Sequence, residues 1–182
     1  MNNDFKNLCM LADRGDAYAI FSVGMSYKMG IYTPKNESLG FTYIEKAANL
    51  GCLEAIGILS DCYKEGCGIE KDEKKAFELS KKAADLGEPI SMCDLGIMYE
   101  YGKGVKKDED EAFYYYKKAA DSGYLPALIF LSSCYESGVG TLADRKKAED
   151  LKKIYDENFD QWQDEQMKLI EKRVEDKYKQ GE

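Results

Sequence analysis

Histidine is missing from this chain of 182 residues. Its absence removes Ser-His-Asp and Cys-His nucleophile systems and every His-ligated metal site. Prolines are scarce, three in all, so helices meet few hard stops. No run of about 18 apolar residues occurs, which excludes a membrane-spanning helix. The opening Met1-Asn2-Asn3-Asp4-Phe5-Lys6 has neither the basic nor the apolar region of a secretory signal. A cytoplasmic location is therefore expected, with free thiols at Cys9, Cys52, Cys62, Cys67, Cys93 and Cys134. No C-x-x-C pair occurs, so neither a metal nor a cofactor is expected. Nor is there an excess of positive charge: the formal net charge is −8, which argues against nucleic acid as a partner. With 44% hydrophobic and 33% charged residues, the composition is that of a globular chain.

What the chain does have is a period. Gly15, Gly51, Gly87 and Gly123 are each 36 residues apart. Tyr27, Tyr63, Tyr99 and Tyr135 keep the same step, as do Gly30, Gly66, Gly102 and Gly138. Phe41, Phe77 and Phe113 follow in phase, with Ala47, Ala83 and Ala119. No insertion disturbs the register, and periods of this length belong to stacked supersecondary units.

Each unit reads as a helical hairpin. In the third, Ser91, Leu95, Gly96 and Tyr99 line one face of a first helix. The small column Gly24, Ser60, Gly96 and Ser132 lets a neighbouring helix come close, despite the helix penalty of about 1 kcal/mol for an interior glycine. Gly102 ends that helix. A second helix opens at Asp108, a capping residue whose column also holds Asn36, Asp72 and Asp144. It carries Ala112, Phe113, Tyr115 and Ala119 toward the core.

The ends of the array differ from its middle. Phe5, Leu8, Leu11 and Ala12 align with Phe41, Ile44, Ala47 and Ala48, so the chain begins with a lone second helix. In the last unit Glu149 replaces the Phe and Asp156 the Ala, as suits a terminal repeat. Beyond it Phe159, Trp162, Met167, Ile170, Val174 and Tyr178 interleave with charges; they form either a separate capping helix or the continuation of one long helix, and a break near Asn158 is the favoured expectation. That segment either seals the last core or docks a partner or a second copy of the chain.

The string Ala83-Ala84-Asp85-Leu86-Gly87, then Leu95-Gly96-x-x-Tyr99-x-x-Gly102-x-Gly104-Val105-x-x-Asp108, then Ala112-x-x-x-Tyr116-x-Lys118-Ala119-Ala120, resembles the Sel-1-like repeat, a relative of the tetratricopeptide repeat. The likeness covers about residues 11–156; the loop of the first unit departs, with Tyr32 and Thr33 where Gly-Val is expected. The resemblance implies an all-α fold, a right-handed α/α superhelical solenoid of about four repeats that binds protein partners. The boundaries expected are a half-repeat over 1–14, repeats over 15–50, 51–86, 87–122 and 123–156, and a C-terminal helix over 157–182.

In such a solenoid first helices line the concave face, and the working positions are those whose residue type changes between units. They fall at i, i+4, i+7 and i+11 of the first helices. Tyr18, Met25, Met29, Ile58, Ile97, Tyr101 and Phe130 are the apolar members, and Glu54, Asp61, Glu65 and Asp94 the acidic ones. Ile58, Ile97 and Phe130 either serve docking or pack against the neighbouring unit. An apolar stripe rimmed by acid suits a basic or amphipathic protein or peptide.

The function expected is therefore a non-catalytic interaction module, an adaptor or scaffold. The alternatives are an immunity-type or regulatory inhibitor of a toxin or enzyme, and a self-associating structural element. Catalysis is not expected. Gly66-Cys67-Gly68 and Gly102-Lys103-Gly104 are hairpin turns without the strand of a dinucleotide fingerprint, and the carboxylates are accounted for by caps and solvated faces.

Overall fold

The computed structural model describes residues 3–179. The side chains of Ile170, Val174 and Tyr178 lie outside what is described. Among the described residues there are nine helices and no strand: α1 (Asn3–Asp13), α2 (Ala17–Met29), α3 (Glu37–Asn49), α4 (Leu53–Glu65), α5 (Glu73–Asp85), α6 (Pro89–Tyr101), α7 (Glu109–Asp121), α8 (Ala127–Ser137) and α9 (Arg145–Lys179). The fold is an all-α helical-repeat solenoid. It divides into two compact units, Met1–Asp108 and Glu109–Glu182.

The periodic residues build the same hairpin each time. Asn36, Asp72 and Asp144 cap their helices by accepting from the backbone N–H of Leu39, Lys75 and Lys147 at 3.0, 3.0 and 3.1 Å. Each such cap removes an orphan donor, worth about 1 kcal/mol. The column tyrosines meet the column phenylalanines edge-on: Phe41 with Tyr63 at 5.6 Å, Phe77 with Tyr99 at 5.4 Å and Phe113 with Tyr135 at 5.5 Å. Phe5 of α1 meets Tyr27 in the same way at 5.9 Å. The lone first helix thus supplies the aromatic contact of a second helix. Edge-to-face pairs of this kind contribute about 0.5–1.5 kcal/mol beyond their buried area.

The small column has two uses. A Cβ on Gly24 would lie 2.9 Å from Ile44 Cγ1 and 3.0 Å from the Ile44 nitrogen, so α2 and α3 close only because none is there. In other repeats a serine takes the position and satisfies its hydroxyl across the hairpin. Ser60 Oγ donates to the Ala76 carbonyl at 2.7 Å, and Ser132 Oγ to the Ala148 carbonyl at 2.9 Å.

Two departures from the sequence expectation stand out. The break near Asn158 is absent: α9 is one helix of 35 residues. Asn158 donates its side-chain amide to the Ile154 carbonyl at 2.7 Å, along the helix. Lys153–Glu157 and Gln161–Glu165 pairs bracket the junction, and i,i+4 pairs support a continuous helix. The second departure is Tyr32, which adopts φ +67 in the column where Gly68, Gly104 and Gly140 stand at φ +77, +70 and +60.

Candidate functional site

The variable stripe of the first helices was built from sequence as a docking face, and its members sort by exposure. In unit 1, Met29 and Tyr101 are open to solvent at 59% and 66%. They end α2 and α6, where the αL glycines Gly30 and Gly102 turn the chain away. Glu65 is also exposed, and Glu54, Asp61, Asp94 and Ile97 are half-buried. Tyr18, Met25 and Ile58 pack partly against the core, and Tyr18 tilts onto Phe21 at 5.8 Å. Tyr18 and Met25 thus have a packing duty that the stripe pattern does not assign them, and Ile58 takes the packing alternative at least in part. In unit 2, Phe130 is half-buried and stacks on Tyr116 at 5.0 Å and 15°. Its ring is held by a second helix rather than offered freely. The column alternation cannot reveal this, because the supporting tyrosine lies on the other helix of the hairpin.

One exposed member was missed. Ile90, 53% exposed at the start of α6, occupies the column of Tyr18 and Glu54. Its variability in that column was the available signal.

Charge on the stripe collects between α4 and α6. Lys64 Nζ sits 2.6 Å from Asp61 and 3.7 Å from Asp94. Glu88 caps α6 by accepting from the Ile90 N–H at 3.2 Å and from the Ser91 N–H. Burial, reinforced by the carboxylates of Asp61 and Glu88 against the opposing pull of Lys64, pushes the Asp94 carboxyl up to about 6. Sequence reasoning found Asp61 and Asp94 but not Lys64, Glu88 or Ser91, which only the apposition of two helices brings beside them.

The buried thiols of α4 and α6 at Cys62 and Cys93 are unreactive. Burial pushes Cys62 up to about 11 and Cys93 up to about 12, so neither is a thiolate near neutral pH. No disulfide joins any of the six cysteines. Among the described residues no group of three or more Cys, Asp or Glu could hold a metal ion, and no helix is long and apolar enough to cross a membrane.

Unit 2 has a cleft of about 330 Å³ bordered by Leu125, Leu128, Ile154, Asn158 and Trp162. Trp162 packs edge-on against Tyr124 of the α7–α8 turn at 5.9 Å and lies parallel to Phe159 at 6.3 Å. The beginning of the C-terminal segment thus covers that turn, while Met167 and Leu169 further along are 57% and 45% exposed.

Comparison with known proteins follows the same hairpins. The Sel1 repeat family model matches residues 17–52, 54–88, 89–124 and 125–151. A Sel1 repeat protein from Oxalobacter formigenes is 31% identical over 85% of this chain and 61% of its own, with a TM-score of 0.80. The protein c5321, a protective antigen present in uropathogenic Escherichia coli strains and displaying an SLR fold, is 29% identical over 86% of this chain and 34% of its own, with a TM-score of 0.81. This chain therefore spans less than two thirds of either relative. The immunity protein PA5088 of Pseudomonas aeruginosa, 21% identical over 83% of this chain and 55% of its own, shares the fold at a TM-score of 0.56. No curated protein sequence is significantly similar to the chain.

Proposed function

Because the chain belongs to the Sel1 repeat family, we propose that it is a non-catalytic protein-binding module whose docking face is the variable stripe of its first helices. Sel1 repeats are interaction modules as a family, and the finer assignment to this stripe rests on one observation. The recurring Phe–Tyr pairs and alanine columns are spent on packing, with only Leu50 and Leu86 of the recurring apolar columns open at 54% and 59%, whereas on the first helices the variable Met29, Ile90 and Tyr101 stand open at 59%, 53% and 66%. Large apolar side chains left in water on a periodic scaffold mark a contact surface. Acid beside them, from Asp61, Glu65 and Asp94, selects a basic or amphipathic protein segment and speeds its approach.

The role is that of an adaptor or scaffold in the cytoplasm, a setting that fits six cysteines without a disulfide. A narrower version, an immunity-type inhibitor of a basic toxin or enzyme, draws on the same acidity. Its support is the net charge of −8.

Affinity capture with the intact chain tests the assignment against a face control. A Met29→Ala, Tyr101→Ala variant is expected to lose the captured protein. A Lys46→Ala, Lys82→Ala variant, altered on exposed second-helix positions, is expected to keep it. If the first variant folds and retains every partner, the stripe is not the docking face.

A further inference from the structure

The last second helix, α9, does not turn where the others do. Gly15, Gly51, Gly87 and Gly123 reverse the chain between hairpins at φ +89, +85, +92 and +86, and the next place in that column is Phe159. Bulky residues rarely adopt such angles. The helix therefore runs straight through the position, and among the described residues no fifth first helix follows it.

Two columns record the vacancy. Ala12, Ala48 and Ala84 are buried, and so are Ile20, Ile56 and Met92. Their counterparts in unit 2, Ala120 and Leu128, are only half-buried, and both line the cleft of about 330 Å³. The cleft is thus the surface on which repeats stack, left without its next layer. A third column points the same way. Lys46, Lys82 and Lys118 of the inner second helices give way to Ile154, 46% exposed at the cleft. The outer face of a last repeat is expected to be polar, yet here it presents Leu125, Leu128, Ile154 and the half-buried Trp162. An open apolar surface in such a place marks a contact.

We infer that the cleft of unit 2 receives an amphipathic helix of a protein partner, lodged where the first helix of a further repeat would lie. The chemistry of that helix follows from the stacking surface it continues. First helices that follow a preceding hairpin carry a small residue, a leucine four places on and a tyrosine four beyond that: Ala55-Leu59-Tyr63, Ser91-Leu95-Tyr99 and Ala127-Leu131-Tyr135. The partner's helix is expected to place small and apolar residues at the same i, i+4 spacing. Glu165 lines the cleft, and α9 from 154 to 167 carries Asp156, Glu157, Asp160, Asp164 and Glu165 without a lysine or arginine. That local charge favours a basic residue beside the apolar ones. A second copy of the chain is a poorer occupant, because its first helices α2, α4, α6 and α8 are already folded into hairpins. The residues involved are not those of the variable stripe, and neither surface requires the other.

Trp162 is the single tryptophan of the chain, so its emission reports on the cleft. The probe is a synthetic peptide copying Cys52–Gly66, the first helix of the second repeat, with serine at both cysteines and a hydrocarbon staple across the positions of Asp61 and Glu65 to hold it helical. Titrated into the intact chain, it is expected to shift the Trp162 emission saturably and to move the ¹⁵N amides of Ala120, Leu128 and Ile154. A stapled peptide of the same composition in scrambled order is expected to bind about tenfold or more weakly. Ile154→Lys restores the residue of the inner repeats at an exposed position, so circular dichroism is expected to be unchanged while the affinity for the peptide falls about tenfold. No saturable change, equal affinity for the scrambled peptide, or full affinity in Ile154→Lys would overturn the inference. Amide shifts confined to Met29, Ile90 and Tyr101 would overturn it too, and leave the stripe standing. A mass by light scattering that doubles with concentration, and does not in Ile154→Lys, would put a second copy in the cleft and overturn the assignment to a separate protein.

Discussion

Replacing Gly104 by alanine probes a feature shared by three of the four hairpins, the closeness of the turn to the preceding second helix. Gly104 adopts φ +70, which costs alanine about 1 kcal/mol. The larger penalty is steric. A Cβ on Gly104 would fall onto the Glu73 carbonyl and lie 3.0 Å from the Lys74 nitrogen. The first turn of α5 cannot easily yield, because Asp72 caps it at 3.0 Å and Lys71 holds Glu73 at 2.8 Å. Forcing atoms into such a contact costs about 1–3 kcal/mol. Together the expected loss is about 2–4 kcal/mol. In urea, with a slope of about 2 kcal/mol per M, the unfolding midpoint would fall by roughly 1–2 M. The natural contrast is Tyr32, in the same column at φ +67 and 56% exposed. Tyr32→Gly relieves about 1–2 kcal/mol of left-handed strain and gives back part of it as unfolded-chain entropy, so stability is expected to hold or rise by up to about 1 kcal/mol. A Gly104→Ala midpoint indistinguishable from wild type, or a clear loss in Tyr32→Gly, would refute the argument.

Three further outcomes follow from the same physics. Asp94→Asn is expected to stabilise the chain at pH 7 by about 1–2 kcal/mol, since it removes a carboxylate that burial disfavours. Because the folded pKa, about 6, lies above the ordinary 3.8, the native state binds the proton more tightly and wild-type stability falls as pH rises between those values. The gain should therefore vanish below about pH 4, as read by urea titrations across that range. Ser60→Ala strands the Ser80 hydroxyl, which lies 2.8 Å from Ser60 Oγ; a loss of about 1–2 kcal/mol is expected in chemical denaturation. Trp162→Ala removes the ring packed on Tyr124 and should lower the thermal midpoint of unit 2 while leaving the mass by light scattering unchanged; a change of mass instead would favour self-association through α9.

Much of the hairpin could be read from the chain because its determinants are local or recur at a fixed step. The caps at Asn36, Asp72 and Asp144, the Phe–Tyr pairs and the small column all follow from spacing alone. Even Phe5 was identifiable as the stand-in for Phe41, since its column position was enough. The junction at Asn158 is illegible because the period ends there, and the end of a repeat looks like the end of a helix. Nothing in the sequence stops α9, and the pairs flanking Asn158 continue it. The site was less legible. Which stripe residues stay exposed depends on neighbours in other helices, as Phe130 on Tyr116 shows.

Photo-crosslinking inside the cells that make the protein tests the docking face most directly. A benzophenone amino acid placed at Tyr101, or in turn at Met29, is predicted to give a discrete adduct with one partner protein, and the same group at Lys46 or Lys82 to give none. Adducts formed from the second-helix positions and absent from Tyr101 and Met29 would contradict the account.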